Sequence, residues 1–212
     1  MMCHRFHLKT GAQAIADLVN ATNHCDAGTF QQDLFPLASV PVIRRDAHQE
    51  LELAPCNWSL LPRTWKTSAK FPTWKSFVRK YPTFNARGES IDEKLSFRQS
   101  FADRRAMIPA TAFFEHGFFF GLQDVETFWF AGLWDRCVID DETIDSCTIV
   151  TTQANRLVGR HHPRNRMPVI LADEDSRKRW IDPAIPRRGE LQDLFRPLAD
   201  DRMTHWPAEP AQ

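Results

Sequence analysis

Seven short runs of strand-forming residues follow one another along this chain and leave room for few helices. Apolar runs of this length, bounded by polar turns, are typical of strands, and in the second run leucines alternate with glutamates. Helical spacing of apolar residues predicts one helix capped by Thr10 and ending near Asn23, and another over 173–181. We therefore expect an α+β fold: a single compact domain on a mixed or antiparallel, barrel-like sheet with a few flanking helices. The seven runs are residues 40–44, 50–54, 58–61, 107–114, 127–134, 147–152 and 168–171.

The chain length fits one domain. Its 212 residues exceed the ~150 residues of an average domain but contain no internal repeat and no low-complexity tract. The composition is typical of a linker only in residues 206–212, which contain two prolines and show no apolar periodicity. We expect one domain over residues 3–205, followed by a short tail over residues 206–212.

The charge balance excludes two classes of protein. With 27 Lys and Arg residues against 27 Asp and Glu residues, the chain has neither a basic coat for nucleic acid nor a polybasic membrane anchor. The longest apolar runs are far shorter than the ~20 residues of a spanning helix. The five cysteines include no Cys-x-x-Cys pair, and no apolar signal core precedes them. We therefore expect a cytoplasmic protein with reduced thiols and no membrane partner.

Positive charge is concentrated in residues 61–110. This segment has eleven basic and four acidic residues, a net charge of +7, so the rest of the chain has a net charge of −7. Trp65, Phe71, Trp74 and Tyr81 lie among the basic residues. Cations interleaved with rings are typical of grooves for single-stranded nucleic acid, where cations meet phosphates and rings stack on bases. A solvated loop face with a few core aromatics is the other interpretation.

Cys3 has three interpretations. A free cysteine is most commonly a small buried hydrophobic residue. A metal site made from Cys3, His4, His7, His24 and Cys25 matches no standard zinc spacing, so we expect no metal and no cofactor. In the third interpretation the mature chain begins at Cys3, which then has a free α-amine beside its thiol.

An N-terminal cysteine traps aldehydes. The amine condenses with the aldehyde to an imine, and the thiolate then closes a thiazolidine ring on the same carbon. The ordinary pKa values of the amine and the thiol, ~8 and ~8.5, leave useful fractions of both groups deprotonated near neutral pH. Positive charge from Arg5 would increase the thiolate fraction further.

Two polar features suggest binding and proton transfer. Asn85-Ala86-Arg87-Gly88-Glu89-Ser90 could hydrogen-bond a sugar and a phosphate, with Arg87 bidentate, although a loop that pairs Arg87 with Glu89 fits equally well. Glu115 ends the apolar run 107–114. We expect its carboxyl to be semi-buried with a raised pKa, as general acid and base catalysis requires. A strand-end residue that reaches solvent is the alternative.

His161 and His162 lie between two arginines in a loop that precedes the strand predicted over 168–171. Such a loop could bind an anion and use one imidazole to shuttle a proton. A basic surface loop without a function is the other interpretation.

Together these segments resemble the SRAP family, the SOS response-associated peptidase-like proteins, whose members act at abasic sites in single-stranded DNA. The resemblance covers roughly residues 3–180, and the segments follow the family order. They are Cys3-His4-Arg5-Phe6, 84–91, 93–98, 104–115, 130–134, 151–155 and 166–171.

The resemblance implies an SRAP-type fold around a barrel-like sheet and a covalent reaction. Cys3 would link to the aldehyde of the ring-opened deoxyribose, and Asn85 would hold the cysteine and the sugar. Glu115 would move protons as the imine forms, and a histidine would assist ring opening. Lyase and self-processing activities would accompany this crosslink.

The resemblance also implies how DNA is held. Arg5, Arg87, Trp58 and Arg166 would contact DNA, with Arg87 on a phosphate beside the lesion. The partner would be single-stranded DNA that contains abasic sites. We expect a monomer that is associated with the nucleoid when it is bound to DNA.

Two residues differ from the family pattern, and the position of the family histidine depends on which family spacing applies. His4 stands where the family start Cys-Gly-Arg-Phe has glycine, and His116 follows the glutamate where tryptophan is common. A longer family spacing has the histidine five residues before the arginine of Arg-Met-Pro, which selects His161 over His162.

The start of the chain also differs from the family, which begins Met-Cys. Here the order is Met1-Met2-Cys3. Either translation starts at Met2 or the extra residue is removed by the protein itself, and we expect the mature chain to begin at Cys3. A blocked end would prevent crosslinking.

Two other functions use the same residues. In a cysteine peptidase, Cys3 would attack a peptide carbonyl with Glu115 or His161 as base, but the sequence has no oxyanion-hole motif. A non-covalent module would bind nucleic acid through residues 61–110 alone, with steep salt dependence.

Overall fold

The structure, a computed structural model, describes residues 4–26, 28 and 30–208. Cys3 and residues 209–212 of the expected tail lie outside the described residues. In the described part the chain forms fourteen strands and five α-helices. No helix in this part is both long and apolar enough to cross a membrane.

The strands are short except for one central hairpin. They are β1 (Phe6–His7), β2 (Thr22–Asn23), β3 (Asp33–Leu34), β4 (Ser39–Arg45), β5 (Leu51–Trp58), β6 (Asn85–Arg87), β7 (Arg105–Ala110), β8 (Ala112–Glu115), β9 (Phe118–Leu122), β10 (Phe128–Ile139), β11 (Glu142–Gln153), β12 (Arg166–Pro168), β13 (Ile170–Leu171) and β14 (Met203–Pro207). The helices are α1 (Ala12–Asp17), α2 (Trp74–Lys80), α3 (Arg98–Asp103), α4 (Arg156–Gly159) and α5 (Glu174–Ile181).

A closed barrel of five strands forms the centre of the molecule. Antiparallel pairs join β5 to β4, β4 to β7, β7 to β10 and β10 to β11. A parallel pairing, with Trp58 of β5 opposite Cys147 of β11, closes the ring. The expected α+β fold on a barrel-like sheet is confirmed.

A second sheet covers one side of this barrel. Its five strands lie in the order β14-β9-β8-β1-β3, and its register places Phe6, Phe113 and Phe120 in one row. The rings of Phe6 and Phe113 lie 5.7 and 6.2 Å from the ring of Phe130 on β10. Burial of these rings therefore joins the two sheets into one core.

The predicted strand over 107–114 is two strands. Thr111 separates β7, in the barrel, from β8, in the second sheet, and its N–H donates to the His7 carbonyl at 2.8 Å. The apolar run was continuous in sequence because both strands are buried. The single change of sheet at Thr111 carries Glu115 away from the barrel wall.

The two predicted helices fared differently. Asp173 caps α5 with a capping box, as the 173–181 pattern indicates. The first helix begins after Gly11 and ends at Asp17, earlier than predicted. The Thr10 hydroxyl contacts Thr127 and does not cap this helix. At the other end of the chain, β14 pairs with β9 as far as Pro207, two residues past the expected domain end.

Residues 62–82, here called the excursion, leave the barrel between β5 and β6 and contain α2. Leu61 and Thr83 anchor its two ends: the Leu61 N–H donates to Ser146 Oγ at 2.8 Å, and the Thr83 hydroxyl donates to the Leu60 carbonyl at 2.7 Å. A small apolar cluster holds it on the β10–β11 hairpin, with Val78 of α2 packed near Cys137 and Ile144.

Candidate active site

Glu115 is a buried carboxyl at the end of β8. Its side chain is 1% exposed, and its Oε1 atom makes no hydrogen bond with any described residue. Burial raises the pKa of Glu115 to about 8, because a carboxylate loses its hydration in an apolar environment. The carboxyl is therefore mostly protonated at neutral pH, and a strand end that reaches solvent is excluded.

His162 faces this carboxyl. Its Nε2 atom lies 3.5 Å from Glu115 Oε1, and both side chains are buried. Its Nδ1 atom accepts a hydrogen bond from the N–H of Arg164 at 3.0 Å, so the neutral ring has its proton on Nε2. Burial lowers the pKa of His162 and favours this neutral form.

A short helix and a tight turn position His162. Asn155 caps α4 through its Oδ1 atom, which accepts from the Val158 N–H at 2.9 Å. The His162 N–H donates to the Val158 carbonyl at 3.0 Å. A Cβ atom at Gly159 would lie 2.7 Å from Asn165 Oδ1, so the absence of a side chain there lets the turn close. The loop thus holds the imidazole against Glu115.

Two more imidazoles lie near the pair. His116 is exposed in the hairpin turn between β8 and β9, at φ 42°, and its ring lies 6.4 Å from that of His162. His4 meets the ring of Phe114 edge-on at 6.1 Å, and burial lowers its pKa. Both histidines stand where the family resemblance has glycine or tryptophan, so this site has more titratable groups than that pattern.

Strand pairing directs the N-terminal segment toward Glu115. β1 runs antiparallel to β8 with Phe6 opposite Phe113, and the Phe114 N–H donates to the Arg5 carbonyl at 3.0 Å. Because the two strands are antiparallel, the N-terminal end of β1 lies beside the C-terminal end of β8, where Glu115 is. At His4 and Arg5 the described chain therefore runs along the end of β8 that bears Glu115.

Asn85 and Arg87 line an open cleft of about 550 Å³. Both belong to β6, which pairs in parallel with β11, Asn85 opposite Ile149. Asn85 is buried and Arg87 is exposed. Residue 88, which follows Arg87, must be glycine, since a Cβ atom at Gly88 would lie 2.3 Å from the Phe195 ring. The cleft is lined by Asn85, Arg87, Ser90, Glu93, Lys94, Leu95, Ser96 and Phe97.

Comparison with known protein families shows to which family the chain belongs. Residues 2–211 match the model of the SOS response associated peptidase (SRAP). The chain belongs to the SRAP family. Two Bacillus subtilis (strain 168) relatives are named abasic site processing proteins, YoqW and YoaM. Each is 30% identical to this chain over 95% of its length, and the match covers 90% of YoqW and 88% of YoaM.

Solved structures share the fold. A crystal structure of a protein from Bacteroides thetaiotaomicron has a TM-score of 0.83 and 24% identity, covering 98% of this chain and 92% of that one. A protein from Bordetella bronchiseptica has a TM-score of 0.78 and 23% identity, covering 98% of this chain and 100% of that one. At these identities the likeness concerns the fold alone.

Within this SRAP chain, Trp58 differs from the expectation that it contacts DNA. The side chain is completely buried, so its ring has no surface on which a base could stack. It lies 5.1 Å from the Phe6 ring, and its Nε1–H donates to the Phe84 carbonyl at 2.8 Å. Trp58 therefore braces the strand that follows Cys3 against the strand that begins with Asn85.

His161 also differs from the expectation. Its ring packs at 4.2 Å from Phe118 and at 5.7 Å from Phe120, whereas His162 contacts Glu115. The loop turns between the two residues, and no local pattern in the sequence indicates which imidazole turns inward. The family spacing selects His161, whereas the side chain that faces Glu115 is that of His162.

Two of the expected DNA contacts are engaged in ion pairs. Arg5 donates two hydrogen bonds of 2.8 Å to the Asp33 carboxylate. Arg166 binds Glu89 in a bidentate pair and is 12% exposed. The predicted alternative that Glu89 pairs with Arg87 is wrong, and Arg87 stays exposed at the cleft.

Proposed function

We propose that this protein processes abasic sites by covalent capture, with Cys3 as an N-terminal nucleophile that traps the sugar aldehyde in single-stranded DNA. The observation that carries the proposal is the buried Glu115–His162 pair. It lies at the end of β8, the strand with which β1 pairs. Membership of the SRAP family and the names of the two Bacillus relatives support the same substrate.

The reaction needs one group that gives a proton and takes one back. The Cys3 amine adds to the aldehyde carbon, and its proton moves to the oxygen, which gives a carbinolamine. Neutral Glu115 protonates the departing hydroxyl, so water leaves and an iminium forms. The thiol then returns a proton to Glu115 as its sulfur attacks the same carbon. One water is released, and the closed thiazolidine leaves Glu115 protonated again.

The pKa of Glu115 suits both steps. A value of about 8 keeps the acid protonated at neutral pH, while its conjugate base is strong enough to accept the thiol proton. His162 Nε2, which has the proton, lies 3.5 Å from Glu115 Oε1. In this proposal the N–H stabilises the carboxylate that exists between the two steps. Without that donor, the transient charge would be buried and unpaired.

The open cleft holds the DNA strand in this proposal. Arg87 is exposed there and makes no ion pair with any described residue, so it can bind a phosphate through two donors. Asn85, at the inner end of the same strand, hydrogen-bonds the sugar. Because Arg5 and Arg166 are paired with carboxylates, we assign them a smaller share of the DNA affinity.

The test combines a mass measurement with a crosslinking assay. We expect the intact mass of the natively expressed protein to begin at Cys3. Incubation with an abasic single-stranded oligonucleotide should give a shifted band on a denaturing gel. The band should disappear with Cys3→Ala and form ~10²- to 10⁴-fold more slowly with Glu115→Gln.

Three results would contradict the proposal: a mass that retains either methionine, no band with the wild type, or an undiminished band with Cys3→Ala. Cleavage of peptides in the absence of DNA would favour the peptidase interpretation instead. Glu93→Gln, which changes an exposed carboxylate in the lining of the cleft, is the matched control for Glu115→Gln and should leave the rate at saturating DNA unchanged.

A further inference from the structure

Several basic side chains outside the excursion have carboxylate partners. Arg5 pairs with Asp33, and Arg166 with Glu89. Further pairs are Arg44 with Glu52 and Asp145, Arg104 with Asp135, Arg136 with Asp145, and Arg179 with Asp193. These cations are largely neutralised where they stand and contribute little to a long-range field.

The excursion concentrates cations that have no such partner. Five of its cations are exposed, and none of them forms an ion pair within the part of the chain that the structure describes. The basic side chain at its start, Arg63, is the exception, since it pairs with two aspartates. The five are Lys66, Lys70, Lys75, Arg79 and Lys80. Holding them together without counter-charge raises the free energy of the protein alone, and a polyanion removes this repulsion.

Aromatic rings stand among these cations. Lys75 lies 5.5 Å from the Trp74 ring, and Lys70 lies 5.4 Å from the Phe71 ring. Tyr81 is 46% exposed, and its ring lies 5.6 Å from that of Phe71. Accessible rings next to unpaired cations fit unpaired bases, whose faces are free to stack, better than a duplex.

The excursion begins close to the cleft and extends away from it. Tyr81 is four residues from Asn85, which lies opposite Ile149 of β11. The apolar cluster under α2 contains Ile144 of the same strand. Ile144 and Ile149 are five residues apart on β11, which at ~3.3 Å per residue is a distance of about 16 Å. A single strand covers this distance with about five nucleotides at the ~3.4 Å rise of a B-form strand, and with fewer when it is extended.

We propose that the excursion is a second DNA-binding surface, which holds the single strand that flanks the lesion up to about five nucleotides from the abasic sugar. This inference rests on the proposed function, since the lesion sets the register of the strand. The excursion contributes affinity and no chemistry. Its contribution therefore depends on the length of the flank and on salt, and the rate of crosslinking within the bound complex does not depend on it.

The test variant is Lys75→Ala/Arg79→Ala/Lys80→Ala, which removes three charges from α2 and inserts a strong helix former at each position. The matched control, Arg177→Ala/Lys178→Ala/Arg187→Ala, removes three charges from the surface around α5. The probes are single-stranded oligonucleotides with a central tetrahydrofuran, an abasic analogue without an aldehyde, flanked by either two or twelve nucleotides on each side. Fluorescence anisotropy gives the Kd at several salt concentrations.

We expect the wild type to bind the long probe more tightly than the short one. The α2 variant should lose ~10-fold in affinity for the long probe, with a salt slope smaller by up to ~2, and should bind the short probe as the wild type does. The control variant should change neither value. Equal affinities of wild type and α2 variant for the long probe would overturn the inference.

Two further measurements separate this inference from the proposed function. If duplex flanks give the gain in affinity and single-stranded flanks do not, the assignment to a single strand is wrong. If the natural abasic oligonucleotide crosslinks at saturating protein but flank length has no effect, the inference fails and the proposed function stands. If flank length changes the affinity but no crosslink forms, the proposed function fails, and the excursion is still a DNA-binding surface.

Discussion

The Glu115–His162 pair and the excursion represent opposite uses of charge in one molecule. The pair is buried, and burial keeps both groups neutral by raising the pKa of the acid and lowering that of the histidine. The excursion keeps five cations in water without partners. A proton-transfer site needs the low dielectric to shift a pKa, whereas a polyanion site needs charges that remain ionised and accessible.

This difference implies that the two regions respond to different variables. The state of the pair should follow pH and be nearly independent of salt, because buried groups are poorly screened. Binding by the excursion should follow salt and be nearly independent of pH, because its lysines and arginine stay charged over the working range. Substitutions in each region test whether this separation holds.

The largest expected effect is on stability, and it concerns Glu115. Its pKa is about 8 in the folded state against an ordinary 4.5, so between these values the folded protein binds a proton that the unfolded chain releases. Stability should therefore fall as pH rises through this window. Glu115→Gln removes this loss, and it should raise the free energy of unfolding by about 4 kcal/mol at pH 8 and by little near pH 4.5.

Urea denaturation at pH 5, 7 and 9 measures this effect. The exposed Glu93→Gln serves as the control and should give a stability profile parallel to that of the wild type. Parallel profiles for Glu115→Gln as well would show that the carboxyl is not held protonated by burial.

A smaller effect distinguishes the two adjacent histidines. His162→Asn removes the Nε2–H donor that faces Glu115, so crosslinking at saturating DNA should slow by at least ~10-fold. His161→Asn removes a ring that packs on Phe118 and Phe120 and should change the rate less than about threefold. Single-turnover rates on denaturing gels provide the comparison, and a reversed order would assign the inward role to His161.

The smallest expected effect concerns the Arg166–Glu89 pair at the edge of the cleft. Glu89→Gln releases the Arg166 guanidinium, so affinity for single-stranded DNA should increase about two- to threefold at low salt, with a slope steeper by ~0.7. Glu93→Gln makes the same change in net charge beside the same cleft but releases no arginine. Equal gains from both variants would mean that net charge alone is responsible.

The sequence predicts most of the barrel strands, because their alternation and burial are local properties. The separate strand predicted over 58–61 is wrong, since β5 runs from Leu51 to Trp58 and ends there. Strands such as β4 lie where the apolar pattern places them. The break at Thr111 was not predicted, since both strands that it joins are buried and the pattern continues across it. The parallel pairing of Trp58 with Cys147 joins distant segments, and no local pattern specifies it.

The candidate site follows the same division. The burial of Glu115 is predictable from the apolar run that it ends. The inward turn of His162 depends on a loop closed by Asn155 and Gly159, and the burial of Trp58 depends on Phe6 and Phe84, which are distant in sequence. Residue type indicates which chemistry is available, and long-range packing decides which side chain performs it.

Two hydrogen bonds between Leu60 and Thr83 join the two ends of the excursion. Because the two ends of the excursion meet at one point on the barrel, its length and composition can drift while the scaffold stays intact. A shorter or differently charged insert could be transplanted at these two residues. Related proteins could thereby acquire different preferences for the surroundings of a lesion while keeping one reactive centre.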